Sequence, residues 1–421
     1  MIALIRRLEL GMRTALLVPI AVLPLLAGCG DLLEVEAPSR VQAEDLENAA
    51  FAALLVRSAV GDFDCALATY ITTVGMVADE FKAVNIYSAE AGDYDRRAVN
   101  PARQQYAVNE CGGYGGIYQP LSTAIWQADN ALERLNGFTD AEVQDRAVLT
   151  QTAQAYAGYG RILLGESFCS AAINLSAELT SAQIFEQAEQ LFTDAISGPD
   201  AELSHFARLG RARARLNLGD HDNAVADAQS VPDGFVRVAR YSEASSRSFN
   251  EVYNRNNRVY GISTEARWRD AHHMGVPDER VLTVNTGDLG PNGLDTVWVQ
   301  QKYVDFDTPI PIARWEEAQL IVAEIVGGQT AVDIINTLHR AHGIPDFAST
   351  DPAEIQAHVI EERAREFFVE GQRFWDIRRL EIPFDPPAGT PYPVLGGLYG
   401  DMRCFPLPNL ERDNNPNIGS G

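Results

Sequence analysis

The sequence predicts a mainly α protein: a helical-repeat scaffold of about four helix pairs, with an irregular, loop-rich insert that contains short strands. Two observations point to the scaffold. Apolar residues recur at steps of three and four through most of the chain after residue 39, which is the period of helices with one buried face. These runs follow one another in pairs with short joints and no strict internal repeat of sequence, the pattern of stacked hairpins. A third observation marks the insert. Residues 233–312 lose the helical period and mix Val, Tyr and Phe with Arg, Asn, Gly and Pro.

Taken in order, Ser39-x-x-Gln42 reads as a capping box that opens a helix to about Val60. A second helix is expected from about Ala66 to Lys82, then a loop rich in Gly, Tyr and Asn from Ala83 to about Gly116. Tyr118 to Leu135 follows, with Ile125, Ala128, Leu132 and Leu135 on one face. Thr139-x-x-Glu142 caps the next helix, to about Leu164, whose Ala153, Ala155, Ala157, Gly158 and Gly160 favour close helix approach. Thr180-x-x-Gln183 opens another, with Ile184, Ala188, Leu191, Phe192 and Ile196 inward. Glu202–Leu218 and Asn223–Ser230 form a pair, joined by Gly219-Asp220-His221-Asp222-Asn223-Ala224. That joint is similar to a tetratricopeptide turn, so the scaffold is read as tetratricopeptide-like. Inside the insert, Val281–Val284 and Val297–Val299 read as short strands. Two further helices are expected at Ala313–Val326 and Thr330–His342, and Asp351-Pro352-Ala353-Glu354 is a helix start with Asp at the N-cap and Pro behind it.

The stretch Glu361–Arg379 reads as one helix on which Ile360, Ala364, Phe367, Gly371 and Phe374 share a face. Glu370, Arg373, Asp376 and Arg379 alternate in sign at steps of three, and each exposed pair is worth about 0.2–0.5 kcal/mol. Gly371 costs about 1 kcal/mol inside a helix, so another segment is expected to pack closely against it. Glu362, Arg363, Glu366, Phe367, Glu370, Gly371, Arg373, Asp376, Ile377, Arg378 and Arg379 together resemble the C-terminal signature of the SusD/RagB family. Val77–Glu80, Asn130, Arg314–Glu324 and the tail Phe405–Asn417 are similar to further family motifs. The resemblance implies an outer-membrane nutrient-binding lipoprotein that works with a TonB-dependent, SusC-like transporter. It also implies that the signature is scaffold and that the loops bear the ligand.

The N-terminus carries basic Arg6, Arg7 and Arg13, an apolar run Leu16–Leu26, and then Ala27-Gly28-Cys29. That order is a secretory leader, and its end resembles a bacterial lipobox, with Cys29 as the lipidated residue. Met12 is an alternative start. The expected organisation is a signal peptide at 1–28, a lipidated tether at 29–38 and one domain at 39–421. Within that domain the scaffold occupies 39–232 and 313–380, the insert 233–312 and the tail 381–421. The apolar run is shorter than the roughly 20 residues a bilayer-spanning helix needs, so an anchored protein in the outer membrane is expected, facing the cell surface by resemblance. The chain has 34 basic and 58 acidic residues. Without residues 1–28 these become 31 and 57, a balance of −26. Nucleic-acid binding, which needs a cationic footprint, is discounted, and neutral ligands suit the charge.

Cys65, Cys111, Cys169 and Cys404 remain after Cys29. An even number in an oxidising compartment suggests disulfides. Three pairings are possible. Cys65–Cys111 with Cys169–Cys404 is favoured, because the first would staple neighbouring N-terminal elements and the second would tie the tail to the helical body. No C-x-x-C pair and no His/Cys cluster with metal spacing is visible, and adjacent His272 and His273 would point to opposite faces of a strand. No metal or cofactor is expected.

Neutral sugars are held by aromatic faces, with polar side chains meeting their hydroxyls. Two regions offer this: Tyr87, Asp93, Tyr94 and Arg96 in the loop after the second helix, and Tyr253, Asn256, Asn257, Tyr260, Trp268 and Trp298 in the insert. Asp93, Tyr94, Arg96, Asn257, Tyr260, Trp268, Trp298 and Tyr87 are the ligand candidates. Trp126, Trp315 and Trp375 lie in predicted helices and are assigned to the core. No G-x-S-x-G, G-K-[ST] or H-E-x-x-H occurs, so binding without catalysis is expected, of an oligosaccharide or oligopeptide. The alternatives are a periplasm-facing helical scaffold that binds proteins or envelope components, and a glycan-degrading enzyme with a carboxylate pair.

Overall fold

The computed structural model describes residues 48–85, 89–111, 115–393 and 396–419. The leader, Cys29, the Ser39 capping box and Tyr87 lie outside the described residues. In chain order the elements are α1 (Ala52–Val77), β1 (Phe81–Ala83), α2 (Ala89–Asp95), α3 (Gln104–Ala107), α4 (Tyr118–Gly137) and α5 (Arg146–Ser167). They continue with β2 (Ser170–Ala171), β3 (Leu179–Thr180), α6 (Ser181–Ile196), α7 (Ala201–Leu218), α8 (His221–Ala228) and β4 (Val236–Ala239). The insert adds α9 (Glu251–Tyr253), β5 (Ile262–Thr264), β6 (His272–His273), β7 (Val276–Pro277), β8 (Thr283–Leu289), β9 (Thr296–Gln300) and β10 (Ile310–Arg314). The chain closes with α10 (Trp315–Val326), α11 (Gly328–Ala341), α12 (Pro352–Glu366), α13 (Arg373–Arg379) and α14 (Asn409–Asn414).

The scaffold is four helix pairs in succession, α1 with α4, α5 with α6, α7 with α8 and α10 with α11, each packed on the next, with α12 laid across the last. Local chemistry sets several of its ends. Thr180 and Gln183 form the reciprocal capping box of α6. Gly219 closes α7 in the left-handed conformation (φ +79°) that glycine adopts freely. Asp351 caps α12 by accepting from the Ala353 amide, with Pro352 behind it. Phe192 of α6 is wedged between α5 and α7 with no exposed surface. A Cβ on Gly158 would lie 2.6 Å from its ring, so only glycine lets α5 come this close. Burying such a phenyl ring contributes about 1.5–3 kcal/mol.

Several helix boundaries differ from the sequence reading, and at α1 and at Glu361–Arg379 the partners involved are distant in the chain. The two helices expected at 39–60 and 66–82 are one, α1, unbroken across Gly61–Cys65. Here the polar side chains on that stretch are met by the insert: Asp64 accepts from the Arg240 amide, Tyr241 donates to the Asp64 carbonyl, and Arg247 pairs with Asp62. Thr139 and Glu142 do bond to each other, but they close an isolated turn, and α5 starts only after Asp145 (φ +55°). The stretch Glu361–Arg379 is not one helix. It breaks at Phe367–Gln372, where Val369 has φ +52° and Gly371 φ +84°.

That break is held by side chains from elsewhere. The Glu80 carboxylate accepts the Val369 amide at 2.8 Å. Lys302 donates to the carbonyls of Glu366 and Phe368, and Arg314 donates to that of Glu366. Gly371 lies where a Cβ would fall 2.7 Å from the Tyr70 ring, so the expected close packing is present, against a side chain. The signature charges are buried as well, and most pair across elements instead of along one exposed face. Arg280 meets Asp278, Glu362 and Glu366, Arg373 meets Asp79, and Arg379 meets both Asp376 and Glu324.

Among the described residues the strands form two-stranded antiparallel ribbons, β1–β5, β4–β10, β2–β3, β6–β7 and β8–β9. The β1–β5 ribbon joins the insert to the segment that follows α1. Phe81 pairs with Thr264, and β10 runs directly into α10, which shortens the helix expected from Ala313. Disulfides join Cys65 to Cys111 and Cys169 to Cys404. The tail returns to the core through Phe405, which packs against Tyr94, Phe168 and Phe374. Among the described residues no helix is long and apolar enough to cross a membrane.

Candidate functional site

The structure brings the two sequence-predicted regions together. The Val84 amide donates to Gly261, the Asn292 amide donates to Val84, and Lys82 pairs with Asp295 at 2.7 Å. Several of the candidate side chains nevertheless serve the fold. Trp268 has no exposed surface, its indole N–H donates to the Asp79 carbonyl at 2.7 Å, and its ring lies on Phe368. Tyr94 is buried against Tyr106 and Phe405. Asp93 is buried and held by Arg96 and Arg103, each at 2.6 Å. These are corrections to the sequence reading. Each of these side chains is buried and already has a partner within the protein.

Asn257 exchanges two hydrogen bonds with Gln300, and the buried Asn256 amide is spent on Ile262, Trp298 and Gln300. Tyr253 packs edge-on against Phe306. Arg96, Tyr260 and Trp298 remain partly exposed. Tyr260 packs with Val84, Val297 and Val299. Trp298, between those valines on β9, points to the other face, where the Arg269 guanidinium lies 5.6 Å from its ring. The two rings therefore do not make one platform.

A different surface has the features sought. Trp126, assigned to the core from its place in a helix, is 50% exposed, whereas Trp315 and Trp375 do pack against the core. Gln119, Ser122, Thr123 and Trp126 recur at helical spacing along α4 and form one wall of an open cavity of about 270 Å³. Ala172, Ile173, Asn174 and Leu175, from the β2–β3 connection, form the other wall, and Glu411 of α14 closes an end. Asn174 and Leu175 are both left-handed (φ +51° and +62°), and Leu175 is 60% exposed. A leucine held in this conformation costs of order 1–3 kcal/mol and persists only where surroundings fix it. Here Asn174 donates to Asp129 at 2.6 Å and Asn417 donates to the Leu175 carbonyl at 2.8 Å.

The cavity thus offers an indole face and an aliphatic side chain, with amide and hydroxyl groups between them and a single carboxylate. Anionic ligands find no cation in its lining. A neutral molecule with apolar faces and hydroxyl rims fits this chemistry. The sequence held the signal for Trp126. If Ile125, Ala128, Leu132 and Leu135 face inward, residue 126 is turned about 100° from the first and about 120–180° from the others, toward solvent.

A second cluster has no counterpart in the sequence reading, which found no histidine grouping with metal spacing. His273, His339, His358 and Glu362 converge so that one ligand atom from each lies within 4.8 Å of all the others. They come from β6, α11 and α12, so no local spacing announces them.

Residues 308–390 match the sequence model of the SusD family. A comparison with curated proteins returned no match. Among solved structures, the fold is similar to a SusD superfamily protein from Parabacteroides distasonis, at 13% identity and a TM-score of 0.68, over 90% of this chain and 99% of that one. It is similar to a laminarin-binding SusD-like protein at 14% identity and a TM-score of 0.64, over 88% of this chain and 98% of that one. A putative sugar-binding protein from Bacteroides vulgatus is likewise similar, at 15% identity and a TM-score of 0.64, over the same shares, 88% and 98%. This chain therefore has the fold of SusD superfamily structures over most of its length, and residues 308–390 are similar in sequence to the SusD family.

Proposed function

We propose that this chain captures a neutral organic nutrient, an oligosaccharide before an oligopeptide, without covalent chemistry. It then passes the nutrient to a TonB-dependent transporter in the outer membrane. The exposed Trp126 indole beside a polar, cation-free cavity carries the reading. The likeness to a laminarin-binding and a sugar-binding protein supports the substrate class. An acidic chain of net charge −24 would repel anionic ligands and favour neutral ones. The signature carboxylates Glu362, Glu366 and Asp376, the natural candidates for an acid/base pair, are each engaged by arginine, which favours binding over hydrolysis.

Calorimetric titration against neutral oligosaccharides and oligopeptides tests the reading. The tightest ligand should lose about 10- to 100-fold in affinity on Trp126→Ala, the loss expected of a stacking anchor. The melting temperature should hardly move, because the indole is half exposed. Unchanged affinity in Trp126→Ala, together with loss in Trp298→Ala, would move the site to the insert.

Membrane residence is assigned to lipid on Cys29. Buried acyl chain contributes about 0.8 kcal/mol per CH₂, so two or more chains hold a protein stably. Cys29→Ala should shift the chain from the membrane pellet to the soluble fraction. Retention in the pellet would contradict the lipobox.

A further inference from the structure

We propose that His273, His339, His358 and Glu362 form a closed, four-coordinate site for a divalent transition-metal ion, zinc foremost, which pins the insert to the C-terminal helices. His273 sits on the β6–β7 ribbon of the insert, His339 near the end of α11, and His358 and Glu362 one turn apart on α12.

The distances are those of a ligand shell. Glu362 Oε2 lies 3.1 Å from His339 Nε2 and 3.6 Å from His273 Nε2. His339 Nε2 lies 3.5 Å from His358 Nε2. Ligands about 2.0–2.1 Å from a tetrahedral metal stand about 3.3–3.4 Å from one another. Three of the separations are thus close to the edge of such a tetrahedron, and all of them lie within 4.8 Å.

The outward contacts orient the inward atoms as metal ligands require. His339 Nδ1 is 2.8 Å from the Pro345 carbonyl and donates its proton there. In neutral His339, Nε2 presents a lone pair toward the Glu362 carboxylate oxygen 3.1 Å away, and a cation between them would be held by both. A backbone carbonyl behind a ligating imidazole is the usual second support of a metal site. Arg280 holds the other carboxylate oxygen, Oε1, at 2.5 Å, which turns Oε2 inward. Phe347 stacks on His358 at 3.9 Å and fixes its ring. His273 Nε2 is buried, faces the cluster and has no hydrogen-bond partner. A buried polar nitrogen without a partner costs about 1–3 kcal/mol, and a bound metal removes that cost.

Three imidazoles and one carboxylate suit zinc, and four protein ligands leave no open position for catalysis. The ion would therefore be structural. The strongest rival is a proton on His339 that pairs with Glu362 and needs no metal.

The test uses the full chain, stripped with a chelator and titrated with Zn²⁺ alone. We expect one equivalent bound, a melting temperature that rises with Zn²⁺, and Co²⁺ taken up with the intense visible absorption of tetrahedral coordination. His273→Ala and His358→Ala should each weaken binding at least 100-fold and abolish the thermal shift. If one variant fails to fold, the other supplies the comparison. Binding below one equivalent, a melting temperature indifferent to Zn²⁺, or Zn²⁺ affinity unchanged in a folded variant would each overturn the proposal.

Discussion

Arg213→Ala is expected to cost about 3–5 kcal/mol of folding stability, the loss typical of stranding a buried charge. Arg213 of α7 makes a two-pronged pair with Glu166 of α5, at 2.8 and 2.6 Å, and reaches Glu317 of α10 at 3.5 Å. Both carboxylates are almost wholly buried, at 0% and 2% exposure. Asn217 also bonds Glu166, but neutralises nothing. Burial already raises the Glu317 pKa to about 7 with Arg213 in place. Without the guanidinium, both acids must take up protons or draw in water at the junction of three helices. Urea unfolding should show a midpoint well below wild type with an unchanged slope. Replacing all three residues together by apolar side chains of similar volume should restore much of the loss, because the pair is costly to break and much less costly to remove. A single-variant loss under about 1 kcal/mol would contradict the burial on which the argument rests.

Stability should fall as pH rises from about 5 to 8, contrary to the usual acid-labile trend. Burial raises the pKa of Glu80 to about 8, and those of Asp64, Asp95 and Glu317 to about 7. Oε2 of Glu80 and Oδ1 of Asp64 are buried without a hydrogen-bond partner, so a negative charge on either carboxylate is poorly compensated. Acids whose pKa is higher folded than unfolded stabilise the fold fully below the unfolded value near 4. That contribution is lost as pH climbs through 7 to 8. Glu366 and Asp376 behave in the opposite sense. Burial acts to raise them, but their arginine partners outweigh it and hold both at about 2. Their contribution is complete above about 4 and disappears as pH falls toward 2. The optimum therefore lies between about pH 4 and 6. One pKa unit is 1.36 kcal/mol, so the decline toward pH 8 is on the order of several kcal/mol. Urea midpoints across this range measure it, and Glu80→Gln should flatten the slope. A midpoint that climbs steadily to pH 8 would show that these acids are solvated.

What the sequence made legible was what neighbouring residues decide. The capping of α6 by Thr180 and Gln183, the Gly219 joint and the Asp351-Pro352 start rest on contacts within a few residues, and all are present. The break between Glu366 and Arg373 was hidden, because what stabilises it comes from Glu80, Lys302 and Arg314. Trp268 read as a ligand contact because nothing nearby in sequence reveals that its N–H finds the Asp79 carbonyl 189 residues away. Trp126 was misplaced for another reason. Membership of a helix does not place a residue in the core, and Trp126 lies off the face shared by Ile125, Ala128, Leu132 and Leu135. The histidine cluster lay beyond any local reading, since its members meet only when the insert docks on α11 and α12.

The account stands on a binding face at Trp126 in a chain that does not alter what it binds. The most direct measurement is a crystal structure of the full chain with the tightest oligosaccharide from the titration panel. The account predicts a sugar ring stacked on the Trp126 indole, between α4 and Leu175, with every glycosidic bond intact. Ligand density elsewhere with the Trp126 cavity open, or a cleaved glycan in the site, would contradict it.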